Sequence, residues 1–411
     1  TIQHAINQAV SGDTIYVKPG TYQETFDLGG KWISLRSTSG KDVTFLSSNG
    51  SGTVITAETG EESNTEVVGF TIKDASTGIS IGPDEEVTIR DCYITDTNYP
   101  IEAYADNDIN LFNITLGLNG LQAVKMNGET IGYSNSSITR TWNINNLTVN
   151  PEGDLNVRST NNTGTATLKV VGNAELAFNE GKNIIVGGAD YNKRGALSAT
   201  GVTFTALDTS LGWGGIYFSD YSDDGSSLID SCIIEYADDG IYCASASPTI
   251  TNSTIRSNTD GIYADSGSQP TITGNTFTGN ERPVFIYADR IRSNIYGNTY
   301  SGNTKDYIEV KNATLDENLT YVWSMDGAPY LISSDLEVRR DNNSSQLSTL
   351  KIDSGATVMF KNGIDLYIGH GSNSNYRGVL IANGVTFTAF DSTGWNGIRF
   401  RNYADDGSCL I

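Results

Sequence analysis

Positive charge is scarce in this chain: 26 Lys and Arg face 48 Asp and Glu across 411 residues, leaving a formal net charge of -22. Binding to a phosphate backbone draws on clustered cations, and no basic stripe occurs, so nucleic acid is excluded as a partner. Cysteine is nearly as rare. Cys92, Cys232, Cys243 and Cys409 have neither CxxC nor metal-ligand spacing and read as small buried hydrophobes. Only His4 and His370 are present, which leaves little material for histidine-based catalysis. No nucleophile elbow, P-loop or dinucleotide fingerprint stands in the right context. No apolar run is long enough for a membrane-spanning helix. Charged residues make up only 18%, so the surface must be covered largely by neutral hydroxyls and amides. The 21 Tyr and 13 Phe, with many Ile and Val, argue against disorder.

What is abundant is repetition. SCIIEYADDGIYCA, STIRSNTDGIYADS and NTFTGNERPVFIYADR follow one another between Ser231 and Asn303. Ile233, Ile255 and Phe277 lie 22 residues apart, with Tyr300 a further 23 on. That interval is too short for a helix pair and suits one coil of a β-solenoid, whose short strands stack on the coil before. A single coil cannot bury its own apolar side chains, so the stack is the folding unit. The 44 Gly and abundant Asn, Ser, Thr and Asp supply the turns between strands. At the start, Ile2, Ala5, Ile6 and Ala9 share one face of a short helix, which would cover the open first coil.

A longer repeat overlies the short one. Residues 168–229 match residues 350–411 at an offset of 182, shifting to 183 around Gly201 and Gly384. The expected organisation is one continuous solenoid in four stretches: 1–135, N-terminal cap and coils; 136–230, a first module; 231–317, regular coils; and 318–411, a second copy of the module. The chain opens at Thr1 without Met and stops at Ile411 in mid-pattern, so it reads as a piece of a longer protein with further domains.

Period two along each strand sorts the side chains. Ile216 and Phe218, Ile241 and Cys243, Ile262 and Ala264, and Ile286 and Ala288 point inward. Tyr217, Tyr242, Tyr263 and Tyr287 are therefore expected in one outward column about 4.8 Å apart. Asp239 and Asp260 should line one margin of it, and Asp265 and Asp289 the other, with Arg282 close by. Tyrosines beside carboxylates can stack on sugar rings and hydrogen-bond their hydroxyls. The same column stabilises a sheet with no ligand at all. No cofactor is expected. Calcium is the one ion that oxygen-rich turns such as Asp223-Asp224 and Asp405-Asp406 could take.

The coils, the opening TIQHAINQAVSGDTIYVKPGTYQE and the N-T-x-F-x-x-N signatures resemble the right-handed parallel β-helix, or pectin-lyase-like, superfamily over essentially the whole chain. The resemblance implies an all-β, single-stranded right-handed parallel β-helix with a short capping helix. It fixes no activity, because that superfamily holds lyases, hydrolases, epimerases, tailspikes and adhesins. Its polygalacturonase-like members use Asn-Thr-Asp, Asp-Asp, Gly-His-Gly and Arg-x-Lys segments on one wall. Here Asp238-Asp239 precedes Asn258-Thr259-Asp260, Gly369-His370-Gly371 is about five coils away, and no Arg-x-Lys follows. A lyase instead needs a clamp for the uronate carboxylate and a base, roles that Arg282 with Tyr263 or Tyr287 could fill. The expected function is a secreted or cell-surface scaffold, adhesin-like, in contact with a polysaccharide or another surface ligand. The alternative is a polysaccharide lyase or glycoside hydrolase.

Overall fold

The computed structural model describes the chain except residues 133–135, 161–163, 191, 312 and 341–345, so the expected boundary at Asn135 lies outside the described residues. Two compact units emerge: residues 1–214 with 221–227, and residues 215–220 with 228–411.

The first unit starts with the helix Ile2–Gln8. Thr1 caps it by accepting from the His4 amide, and Ile2 and Ile6 are its buried residues. The Glu24 carboxylate also accepts from the Ile2 amide at 2.8 Å. Parallel strands follow, each pairing with the strand about one coil on. Ile72, Ile94 and Leu116 stack in register, as do Val87, Ile109, Trp142 and Val170. Their inward positions are the buried core, with Ile72, Ile94, Ile109 and Trp142 fully covered.

The second unit repeats this arrangement with shorter coils. Three columns fill its core: Ile229, Ile250, Ile272 and Ile295; Ile234, Ile255, Phe277 and Tyr300; Ile241, Ile262, Val284 and Ile308. The expected stacking of Ile233 on Ile255 is therefore one residue out. Ile233 pairs with Thr254 and faces outward, whereas Ile234 is fully buried over Ile255. The first of these coils is 21 residues long, so a fixed step of 22 lands on the wrong face.

Two corners of each coil need left-handed backbone, and they recur in step. Ser231, Asn252, Gly274 and Gly297 have φ of 55°, 52°, 68° and 69°; Tyr236, Ser257, Gly279 and Gly302 have 59°, 56°, 66° and 68°. Just inside these corners run buried asparagine ladders. The Asn258 Nδ2 donates to the Asn280 Oδ1 at 3.0 Å, and Asn280 does the same to Asn303 at 3.0 Å. Asn275 donates to Asn298 at 3.2 Å. Each Nδ2 also reaches a main-chain carbonyl of the preceding coil, so each amide satisfies corner groups that no strand ladder reaches. Both ladders end on a carboxylate, Asp306 in one and Asp326 in the other.

The duplicated modules do not keep equivalent sheets. Trp213–Phe218 of the first copy belongs to an eleven-stranded sheet with Ala237–Cys243, Asp260–Ala264 and Arg282–Tyr287. Its counterpart Gly397–Phe400 lies in a separate four-stranded sheet with Thr314–Leu315, Leu336–Val338 and Asp365–Ile368. The eleven-stranded sheet continues instead through Tyr330–Ile332, Thr357–Phe360 and Thr386–Ala389. Similar spelling thus lands in different sheets.

Candidate functional site

The outward column exists, with one substitution. Tyr217 stacks on Tyr242 at 5.0 Å between ring centroids, Tyr242 on Tyr263 at 4.9 Å, and Tyr263 on Phe285 at 4.5 Å, all within 10° of parallel. Phe285, not Tyr287, is the fourth rung. In register, Asp260 meets Arg282, Ile262 meets Val284 and Tyr263 meets Phe285. Tyr287 falls two residues further along the strand and touches only the edge of Phe285, at 6.1 Å. The repeated Ile-Tyr-Ala-Asp spelling hid this shift. Matching Arg282-Pro283 to Asp260-Gly261 is the signal that would have revealed it.

Stacking decides what the column can do. Tyr242 and Tyr263 have neighbouring rings on both faces, so a sugar ring cannot lie flat on either. What remains to solvent is ring edge and phenol, one per coil. Burial raises the pKa of Tyr217, Tyr242 and Tyr263, and nearby charge adds to it, Asp265 beside the first two. All three phenols are held protonated at neutral pH.

A polar row runs alongside. Asp239, Asp260 and Arg282 occupy the same register position on successive coils. Arg282 grips Asp260 with two bonds, Nε to Oδ1 at 2.8 Å and Nη2 to Oδ2, and reaches Glu309 Oε2 from Nη1 at 3.2 Å. Burial works against the Arg282 cation, but the Asp260 and Glu309 carboxylates outweigh it and hold its pKa above the usual arginine value. The guanidinium also lies 4.6 Å from the centre of the Phe285 ring. Asp239 has no such clamp. Burial first, then the neighbouring Asp260 charge, pushes its carboxyl up from 3.8 to about 6.

The remaining candidates serve local structure. Asp265 Oδ1 accepts from the amides of Ser245 and Gly267, each at 2.9 Å, and from the Ser268 hydroxyl at 2.8 Å, so it builds the turn. Asp289 sits in the 3-10 turn Ala288–Arg290; burial raises its pKa, and Arg290 pairs with it at 3.3 Å. The structure therefore groups Tyr217, Tyr242, Tyr263, Asp239, Asp260 and Arg282, and adds Phe285 and Glu309, which sequence reasoning missed. Glu309 carries no motif; the register pairs it with Phe285, which brings it within reach of the Arg282 side chain.

The polygalacturonase-like segments do not assemble. Asn258 is a rung of a buried asparagine ladder. His370 follows a strand of the four-stranded sheet, and its Nδ1 accepts from the amides of Ser372 and Asn373 at 3.2 and 3.1 Å. Among the described residues, no group of three or more His, Cys, Asp or Glu could hold a metal ion. In the acidic turns, Asp405 pairs with Arg377 and Asp224 accepts from the Ser222 hydroxyl. None of the described helices is long and apolar enough to cross a membrane.

Among known families, residues 187–324 match the one described as "Right handed beta helix region". No curated protein and no solved structure matches the chain. The matched stretch contains the tyrosine ladder and the regular parallel coils, and the same stacking by parallel strands extends on both sides of it. The chain is thus a right-handed parallel β-helix of the pectin-lyase-like type, with a short N-terminal helix.

Proposed function

We infer that this chain is an extracellular or cell-surface β-helix scaffold, and that its ladder wall holds a polysaccharide by edge contacts and hydrogen bonds. The observation that carries this reading is the pairing of two rows, Tyr217, Tyr242, Tyr263 and Phe285 beside Asp239, Asp260 and Arg282, each advancing one residue per coil. Phenols and carboxyl groups repeated at strand spacing offer donors and acceptors at one interval, which suits a chain ligand lying along the coils. The internal duplication supports a scaffold, since extra coils lengthen a display surface and do not add to a single reaction centre. A glycan-array screen tests the binding, with Tyr242→Ala and Tyr263→Ala as controls. Retention of bound glycans by both variants, or no glycan bound by the parent chain, would sink it.

A second reading rests on Asp239. A carboxyl pushed up to about 6 beside an Arg-held Asp260 places a proton donor next to a carboxylate. Glycoside hydrolases likewise combine a raised acid with a second carboxylate. Lyase chemistry has less support, because the Tyr263 phenol is shifted away from acting as a base and Arg282 is engaged on both sides. Release of reducing ends from acidic and neutral polysaccharides tests the hydrolase. No release by the parent chain, or equal release by Asp239→Asn, removes it.

A further inference from the structure

Asparagine is used in two ways along the coils. Among the described residues, the spelling Asn-x-Ser/Thr occurs at Asn49, Asn113, Asn146, Asn252 and Asn318. It marks an acceptor for an N-linked oligosaccharide where the asparagine and the hydroxyl two residues on can both be reached. All five of these asparagines are exposed. None of the buried asparagines, the ladder rungs Asn258, Asn275 and Asn280 among them, carries the spelling. Asn275 is followed at once by Thr276, but its second neighbour is the core residue Phe277.

Corner geometry accounts for the division. Asn49, Asn113, Asn146 and Asn252 have φ of 60°, 51°, 55° and 52°, the left-handed backbone that asparagine tolerates where one strand turns into the next. The residue two places on then opens the following strand: Thr115, Thr148 and Thr254 begin Thr115–Leu116, Thr148–Pro151 and Thr254–Arg256. Thr115 is exposed and the other two are half-buried, so amide and hydroxyl reach solvent together. The Asn252 Nδ2 donates to Asp230 Oδ1 of the preceding coil at 2.8 Å, and Asn113 does the same to Asp91 Oδ1 at 2.7 Å. A side-chain amide has two hydrogens, so replacing one with a sugar leaves the other for the aspartate. Asn252 joins a strand of the twelve-stranded sheet to one of the fifteen-stranded sheet, whereas Tyr263 lies in the eleven-stranded sheet. A glycan at that corner leaves the ladder wall open. Asn113 and Asn146 follow strands in which Leu111 pairs with Ile144, so a glycan on one crowds the other.

We propose that the exposed asparagines Asn49, Asn113, Asn146, Asn252 and Asn318 are attachment sites for N-linked oligosaccharide, transferred from a lipid-pyrophosphate donor. In the transfer the bond from Nδ2 to the anomeric carbon forms as that carbon's bond to the pyrophosphate oxygen breaks. The lipid pyrophosphate leaves and one Nδ2 proton passes to solvent. The inference rests on the extracellular reading above, since this spelling is used on the surface loops of secreted chains.

The test is peptide mapping by mass spectrometry on the full chain recovered from its own organism, with the cell fractions separated beforehand. Oligosaccharide mass is expected on the Asn252 peptide and on those of the other four sites, with Asn113 and Asn146 not both filled on one chain. The peptide holding Asn275 and Asn280 should be bare. Thr254→Val keeps Asn252 and a good strand residue but removes the hydroxyl, so it should strip the sugar from Asn252 alone. Thr254→Ser should retain it. A bare Asn252 peptide in chain taken from the cell surface or medium overturns the proposal and leaves the extracellular reading standing. Recovery from the cell interior alone overturns both. Sugar kept on Asn252 in Thr254→Val also counts against the proposal.

Discussion

Asp239→Asn should make the protein more stable at pH 7.5 and leave it almost unchanged at pH 4. The Asp239 carboxyl is pushed up from 3.8 to about 6 in the folded chain by burial and by the adjacent Asp260. Between those values the folded state holds a proton that the unfolded chain has released, so stability falls as pH rises from about 4 to about 6. Above about 6 the penalty is complete. A rise of that size corresponds to at most about 3 kcal/mol, and the partial exposure of the group screens it to about 1–2 kcal/mol. Asparagine is close in shape and carries no charge, so it removes the penalty. Melting curves at pH 4, 6 and 7.5, followed by near-ultraviolet circular dichroism, read the difference between variant and parent. A variant less stable than the parent at pH 7.5, or a difference that does not depend on pH, refutes the reasoning.

Three further outcomes follow from the same geometry. Arg282→Met leaves Asp260 and Glu309 facing each other without a cation and should cost about 2–3 kcal/mol in denaturant unfolding; a loss under about 0.5 kcal/mol contradicts the clamp. Asn280→Leu strips partners from Asn258 and Asn303 in the buried ladder. It should cost at least about 2 kcal/mol and raise amide exchange in the coils on either side, and unchanged exchange there would count against it. Gly274→Ala places a Cβ at φ 68°, 2.9 Å from Asn252 Oδ1, and should cost about 1–2 kcal/mol, whereas the same change at Gly407, which meets nothing, should be silent.

The coil was legible in the sequence because its signal is redundant: inward Ile and Val, corner Gly and Asn, and a short period all say the same thing. Ile241 and Ile262 landed on their observed face for that reason. Register was less legible. Period two turns a miscount of one residue into the opposite face, as at Ile233, and a miscount of two into the wrong rung, as at Tyr287. Tyr236 was invisible as a corner, since a tyrosine at φ 59° has no sequence signature. The site's rows could be read only in part. Asp239, Asp260 and the tyrosines follow from alternation along one strand. Phe285 and Glu309 depend on which strand lies beside which, and the repeated Ile-Tyr-Ala-Asp spelling pointed away from that answer.

The most direct measurement of in-register stacking is a disulfide test in a Cys409→Ser background, the other native cysteines being buried. Tyr263→Cys with Phe285→Cys places the two thiols on register partners, within the span of about 4.4–6.8 Å between Cα atoms that a disulfide bridges. Tyr263→Cys with Tyr287→Cys separates them by a further two residues along the strand. Rapid closure of the first pair under mild oxidation, with the second remaining open, is the predicted result by peptide mapping. Closure of the second pair in preference to the first would contradict the register on which both the ladder and its polar row depend.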